Sequence, residues 1–154
     1  MRQTFDRRTL LSYCVGGAAS AAFLASAAPT YAAGTQFKAS MDGASEVPPN
    51  TSAGKGSITV TFDPASKELT WQGTFSGLTG PATAAHIHGP AEPGKNAGVA
   101  VPLSQKDVPF TSPFKGSATL TDAQAADLMG GHYYVNVHTE ANKGGEIRGQ
   151  LMKA

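Results

Sequence analysis

One cysteine, Cys14, stands in a chain of 154 residues, so no internal disulfide can form. Charge of either sign is scarce: Lys and Arg number 12, Asp and Glu 11, and the formal net charge is +1. A general nucleic-acid binder needs a basic face to neutralise phosphates, and this balance argues against one. No serine stands in a Gly-x-Ser-x-Gly elbow, which leaves nucleophilic hydrolysis without support. Gly and Pro are plentiful, at 18 and 10, together about 18% against about 12% in average usage. Both interrupt helices and punctuate turns, so the composition argues against a helical bundle. Disorder is excluded too, because 40% of the residues are hydrophobic and the charges nearly cancel.

The N-terminus has a separate character. Arg2, Arg7 and Arg8 precede an uncharged Gly/Ala/Leu-rich stretch from Leu10 to Ala28, and Thr30-Tyr31-Ala32 supplies small residues around a cut after Ala32. A positive start, an apolar middle and a small-residue exit mark an export signal, here residues 1–32. Arg7-Arg8 before two leucines resembles the twin-arginine type, favoured over general secretion because Gly16, Gly17 and Ser20 weaken the apolar stretch. Dominance of Ala and Gly argues against a membrane anchor. Tyr13 before Cys14, and the apolar residues after it, argue against lipidation. Removing this segment leaves residues 33–154 as one domain without an integral membrane span, periplasmic or extracellular. That part has nine bases, ten acids, no cysteine and all four histidines: His86, His88, His132 and His138. Imidazole is then its main borderline-soft ligand.

Residues 33–154 read as strands. Ile58, Val60 and Phe62 alternate with Ser57, Thr59 and Thr61, and Leu69, Trp71 and Phe75 alternate with Thr70, Gln72 and Thr74. Asp63-Pro64-Ala65-Ser66-Lys67 between them is a turn by composition, which completes a hairpin. Tyr133, Val135 and Val137 alternate with His132, Tyr134, Asn136 and His138, and Ile147 and Leu151 alternate with Glu146, Arg148 and Gln150. Shorter strands fit near Thr35–Met41, Thr83–His88, Val99–Leu103 and Phe114–Leu120. Thr121 and Gln124 fit a capping box for one short helix near 121–129, stopped by Gly130-Gly131. Seven or eight strands point to an all-β, immunoglobulin-like antiparallel β-sandwich without an inter-sheet disulfide.

The histidines fall on polar faces of these strands. In a strand, His86 and His88 project to one side while Ala85 and Ile87 point inward, with Cα atoms roughly 6.5–7 Å apart. His138 points to the polar side of its own strand, opposite the His-x-His pair if the strands are neighbours. Three imidazoles then make a metal site with open positions, and two solvated histidines are the bland alternative. His132, about 20 Å from His138 along an extended strand, is left out. Pairing Val137 with Ile147 brings His138, Asn136, Glu146 and Arg148 to one side. For Glu146 and Arg148, one alternative is an exposed ion pair of little energetic worth. The other has Glu146 and Asn136 supporting an imidazole and Arg148 attracting an anion. Glu46, before Val47-Pro48-Pro49, is a partner for a base such as Arg148.

Several blocks carry a family resemblance. Glu46-Val47-Pro48-Pro49, Gly77-Leu78-Thr79-Gly80, Ala84-Ala85-His86-Ile87-His88-Gly89-Pro90-Ala91, Tyr134-Val135-Asn136-Val137-His138-Thr139 and Gly145-Glu146-Ile147-Arg148-Gly149-Gln150 resemble the CHRD, or chordin-type, domain from about Phe37 to Leu151. That resemblance implies an extracytoplasmic β-sandwich and does not by itself supply a function. A His-x-His strand, a later His and a downstream Arg are also similar to the copper site of copper/zinc superoxide dismutases. By that resemblance His86, His88 and His138 bind copper and Arg148 guides the anion. The loop from Gly89 to Val99 has no histidine for a bridging zinc, so such an enzyme would be copper-only, with its fourth ligand unidentified.

Three functions compete. One is a copper-only dismutase acting on superoxide or another small anion, since imidazole serves copper in both oxidation states. A second is copper or zinc storage or delivery without turnover. Zinc with three imidazoles and a water would suit hydrolysis, but no carboxylate is placed as its general base, so copper ranks first. The third is a metal-free module for extracellular protein partners.

Overall fold

The computed structural model describes residues 34–106 and 108–154, and the expected export signal at 1–32 lies outside them. Among the described residues there are nine strands: β1 (Thr35–Asp42), β2 (Lys55–Asp63), β3 (Glu68–Ser76), β4 (Ala82–His88), β5 (Val99–Pro102), β6 (Phe114–Thr119), β7 (Tyr134–Thr139), β8 (Ile147–Gln150) and β9 (Met152–Lys153). One helix, α1 (Asp122–Met129), and one 3-10 turn, Gly43–Ser45, interrupt them. Thr121 and Gln124 form the expected reciprocal capping box at the start of α1. No described helix is long and apolar enough to cross a membrane.

The strands follow one hydrogen-bonded path, β5-β4-β7-β8-β1-β2-β3-β6, with β9 added to β1. Every pairing is antiparallel. This is the expected all-β sandwich, made by a single nearly closed sheet. The count exceeds eight because two residues after Leu151 pair with Phe37 and Lys38 as β9.

Alternation sets the inner face. Val60 pairs with Trp71 and Phe62 with Leu69 across the β2–β3 hairpin, and all four are buried. Asp63 closes its turn by accepting from the Ala65 N–H at 2.9 Å and the Ser66 hydroxyl at 2.8 Å. One apolar cluster unites these residues with Ala85 and Ile87 of β4, Val135 and Val137 of β7, Ile147 of β8 and Leu128 of α1. Each large aliphatic side chain buried there contributes about 1.5–3 kcal/mol.

β7 departs from a half-exposed strand. All six residues from Tyr134 to Thr139 are buried, so its polar side is covered as well. The cover is backbone from elsewhere in the chain. The Ala91 N–H donates to the His132 carbonyl at 2.8 Å, and the Ala97 N–H donates to the Tyr134 hydroxyl at 3.2 Å. The segment between β4 and β5 therefore folds back over β7 as a roof.

Candidate metal centre

Register alone assembles the histidines. β4 and β7 pair so that Ala84 lies opposite His138, His86 opposite Asn136 and His88 opposite Tyr134. His86 and His138 are thus diagonal neighbours, on the side away from the fully buried Ala85 and Ile87. His86 Nδ1 lies 3.0 Å from His138 Nε2. One nitrogen from each of His86, His88 and His138 falls within 4.8 Å of the others. His86 is half-buried, while His88 and His138 are each 9% exposed.

Backbone carbonyls orient two of the rings. His88 Nδ1 is 3.0 Å from the Ala97 carbonyl and His138 Nδ1 is 2.9 Å from the Lys143 carbonyl. A carbonyl only accepts, so His138 carries its proton on Nδ1 and keeps a lone pair on Nε2, whereas both nitrogens of His88 face oxygen acceptors, the Ala97 carbonyl and Asn136 Oδ1. This is how a protein prepares imidazole for metal: one nitrogen donates to a fixed acceptor and the other is left free. Burial, aided by the nearby His138 and His88, pushes the His86 pKa down to about 4. Burial also lowers that of His138, partly opposed by the Lys143 carbonyl. Both rings are then neutral at pH 7, the form that ligates.

The donor set fits a metal ion. Two imidazole nitrogens at about 2.0–2.1 Å from one ion lie about 3 Å apart. The His86–His138 separation already matches, and closure by His88 completes a set of three. In the metal-free arrangement that contact requires a proton between the two rings, which an ion would displace.

Arg148 is placed otherwise than expected. It is only 2% exposed, so an exposed Glu–Arg pair is ruled out. Its guanidinium donates to Asn96 Oδ1 at 2.9 Å and the Lys95 carbonyl at 2.6 Å. The same group sits over the Tyr134 ring, 3.4 Å from its centroid. Tyr134 in turn stacks on His88, with centroids 5.0 Å apart and planes 5° from parallel. Arg148 pins the roof whose Ala97 carbonyl orients His88, and meets the histidines through Tyr134.

Glu146 is likewise redirected. It is fully buried, and its carboxylate turns from the imidazoles to bind three loops. Oε1 accepts from Ser52 Oγ at 2.6 Å and the Thr79 N–H at 2.7 Å. Oε2 accepts from Thr79 Oγ1 at 2.7 Å, Thr139 Oγ1 at 2.5 Å and Asn142 Nδ2 at 3.2 Å. Burial alone would raise this carboxyl, but the bonds from Ser52, Thr139 and Thr79 prevail and hold it at about 2. Asn136 does meet an imidazole: its Oδ1 is 3.0 Å from His88 Nε2. His132 stands apart, beside Glu92 at 3.5 Å.

Glu46 makes no ion pair within 4.0 Å of Arg148, so the expected pairing does not form, although the guanidinium still influences it. It is 5% exposed, and its Oε1 has no hydrogen-bond partner. Burial pushes its pKa up to about 7 against the opposing Arg148 charge. Sequence reasoning did not foresee the burial of Glu46, the Tyr134 stack or the two orienting carbonyls. An acid beside Val47 and two prolines was the available signal for the first. Backbone carbonyls carry no residue-type signal.

The family model described as the CHRD domain matches residues 37–151. No curated protein matches the chain, and no solved structure matches it.

Proposed function

The chain belongs to the CHRD domain family, and we propose that it is an exported copper-binding member that dismutates superoxide at a site made by His86, His88 and His138. The observation that carries the reading is the 3.0 Å approach of His86 to His138, with Nδ1 of His88 and His138 held by backbone carbonyls. Three imidazoles suit copper in both oxidation states, and no described thiol or carboxylate joins the cluster to favour another ion. Copper would supply the one-electron exchange. The chain's own residues supply the rest: three fixed nitrogens, a roof over His88, and a less buried His86 on the side where a small anion can approach. Zinc is the competing ion, with the same donors and no assigned base.

A second reading, copper storage or delivery without turnover, is favoured by Arg148. Its guanidinium is buried and engaged with Asn96, Lys95 and Tyr134, which leaves it poorly placed to draw an anion. Metal analysis of the purified protein, a spin-resonance spectrum of the copper form and a dismutation assay separate the readings. One copper per chain with dismutation supports the enzyme; one copper without dismutation supports storage. No copper uptake overturns both.

A further inference from the structure

A cleft of about 410 Å³ opens beside the roof segment, and none of the three clustered histidines lines it. That volume falls within the range of small-molecule sites, about 300–1,000 Å³. Pro93 from the roof, with Val47 and Pro49 from the segment after the 3-10 turn, gives it apolar walls. Its charged residues are Glu46 and Arg148, one of each sign and both buried.

Neither charge is fully used by the protein. Glu46 makes no hydrogen bond: Oε1, packed over Gly145, is enclosed without a partner, whereas Oε2 is not sealed off. Arg148 places one of its five N–H groups on Asn96 Oδ1 and one on the Lys95 carbonyl, which leaves three without an acceptor among the described residues. The two charges do not pair with each other. Gln150, also in the lining, spends its amide nitrogen on the Gly131 carbonyl at 2.8 Å and keeps an oxygen that can accept. Carboxylates are rarely withdrawn from water without a donor, so an unpartnered one in a cleft marks a place for a donor that enters.

We propose that the cleft binds a free α-amino acid with a small apolar side chain. Its ammonium meets Glu46 and the Gln150 oxygen, its carboxylate meets Arg148, and its side chain lies against Val47, Pro49 and Pro93. A zwitterion adds no net charge to a site whose own charges cancel. A bare amine would satisfy Glu46 but bring a like charge to Arg148, and a bare carboxylate would do the reverse. A peptide end offers only one of the two charges, because its other terminus lies a chain length away. The site stands apart from the metal-binding reading.

Titration calorimetry of the purified metal-free protein tests this at about pH 8, where Glu46, pushed up to about 7 by burial, is ionised. The probes are L-valine, isobutylamine, which lacks the carboxylate, and isovalerate, which lacks the ammonium. L-Valine should bind roughly tenfold or more tighter than either, since each loses a charged hydrogen bond. Glu46→Gln should weaken L-valine about tenfold and tighten isovalerate, because the like charge is gone. Arg148 also holds the roof, so its contact is read in wild type: nitrogen-15 spectra should show the Val47, Gly94 and Gln150 amides shifting as L-valine is added.

No binding at about 10 mM L-valine, well above a weak Kd of about 1 mM, would overturn the proposal. So would isobutylamine or isovalerate binding as tightly as L-valine, or shifts confined to other parts of the chain. A protein that binds L-valine in this way but takes up no copper loses the metal-binding reading and keeps this site. Copper uptake without L-valine binding removes only the site.

Discussion

His86 Nδ1 and His138 Nε2 meet at 3.0 Å although 52 residues separate them in the chain. Neither ring belongs to the apolar core, and neither contact is made within a single strand. Two neutral imidazoles, one buried and one half-buried, sharing one proton are an unusual use of a covered sheet face. An ion in place of that proton satisfies both lone pairs at once.

Replacing His86 or His138 with Ala should therefore abolish stoichiometric copper in the purified protein. The fold should survive, because one hydrogen bond is lost at His86 and two at His138, each worth about 1 kcal/mol. Copper content and thermal unfolding measured on the same preparations check both halves. Retention of full copper by both variants would sink the assignment.

Glu146→Ala should be far more damaging to stability. It strips the acceptor from Ser52, Thr79, Thr139 and Asn142 together. Donors left buried and unpaired cost about 1–3 kcal/mol each where water cannot reach them. A loss of about 2–4 kcal/mol in urea unfolding is expected, with copper affinity in the surviving native fraction nearly unchanged.

The same carboxylate sets an acid limit. Its folded pKa of about 2 lies below the ordinary 4.5, so the unfolded chain takes up the proton first as pH falls. The contribution is complete above pH 4.5 and disappears as pH drops through about 2. It amounts to about 3 kcal/mol. Glu146→Gln should flatten the stability profile in that window, as urea midpoints at successive pH values would reveal.

Arg148→Lys separates two roles for a cation. Lysine keeps the charge but loses the fork that holds Asn96, the Lys95 carbonyl and the Tyr134 ring. Loosening the roof should weaken Cu(II) binding several-fold, and the loss should persist in about 0.5 M salt, where the Debye length falls to about 4 Å. A defect confined to the superoxide rate and erased by salt would point instead to anion steering.

Gly145→Ala should destabilise by about 2–3 kcal/mol. Its φ is +138°, a region that side chains rarely adopt, and a Cβ would run into Glu46 Oε1. Gly144→Ala, whose Cβ meets nothing within 4 Å, is the control and should cost about 0.5 kcal/mol or less. Chemical denaturation of the pair measures the difference.

Much of this was legible in the residues. Alternation located the β2–β3 hairpin, the capping box located α1, and matching Val137 with Ile147 gave the β7–β8 register. These are local patterns, set by a two-residue side-chain period and by hydrogen bonds between near neighbours. His86 and His88 share a face for the same reason, and inward Val135 and Val137 turn His138 outward.

What alternation does not encode is what covers a face. His138, Asn136, Glu146 and Arg148 were assigned to one polar side, and two of them turned out to serve the loops above it. Arg148 holds the roof segment and Glu146 ties Ser52, Thr79, Thr139 and Asn142, partners up to 94 residues away. Charged groups enclosed by long-range loops must find every hydrogen bond inside the protein, because water is gone. Strand pattern settles which way a side chain points; the loops that close over it settle whether it meets solvent, a metal or a carbonyl.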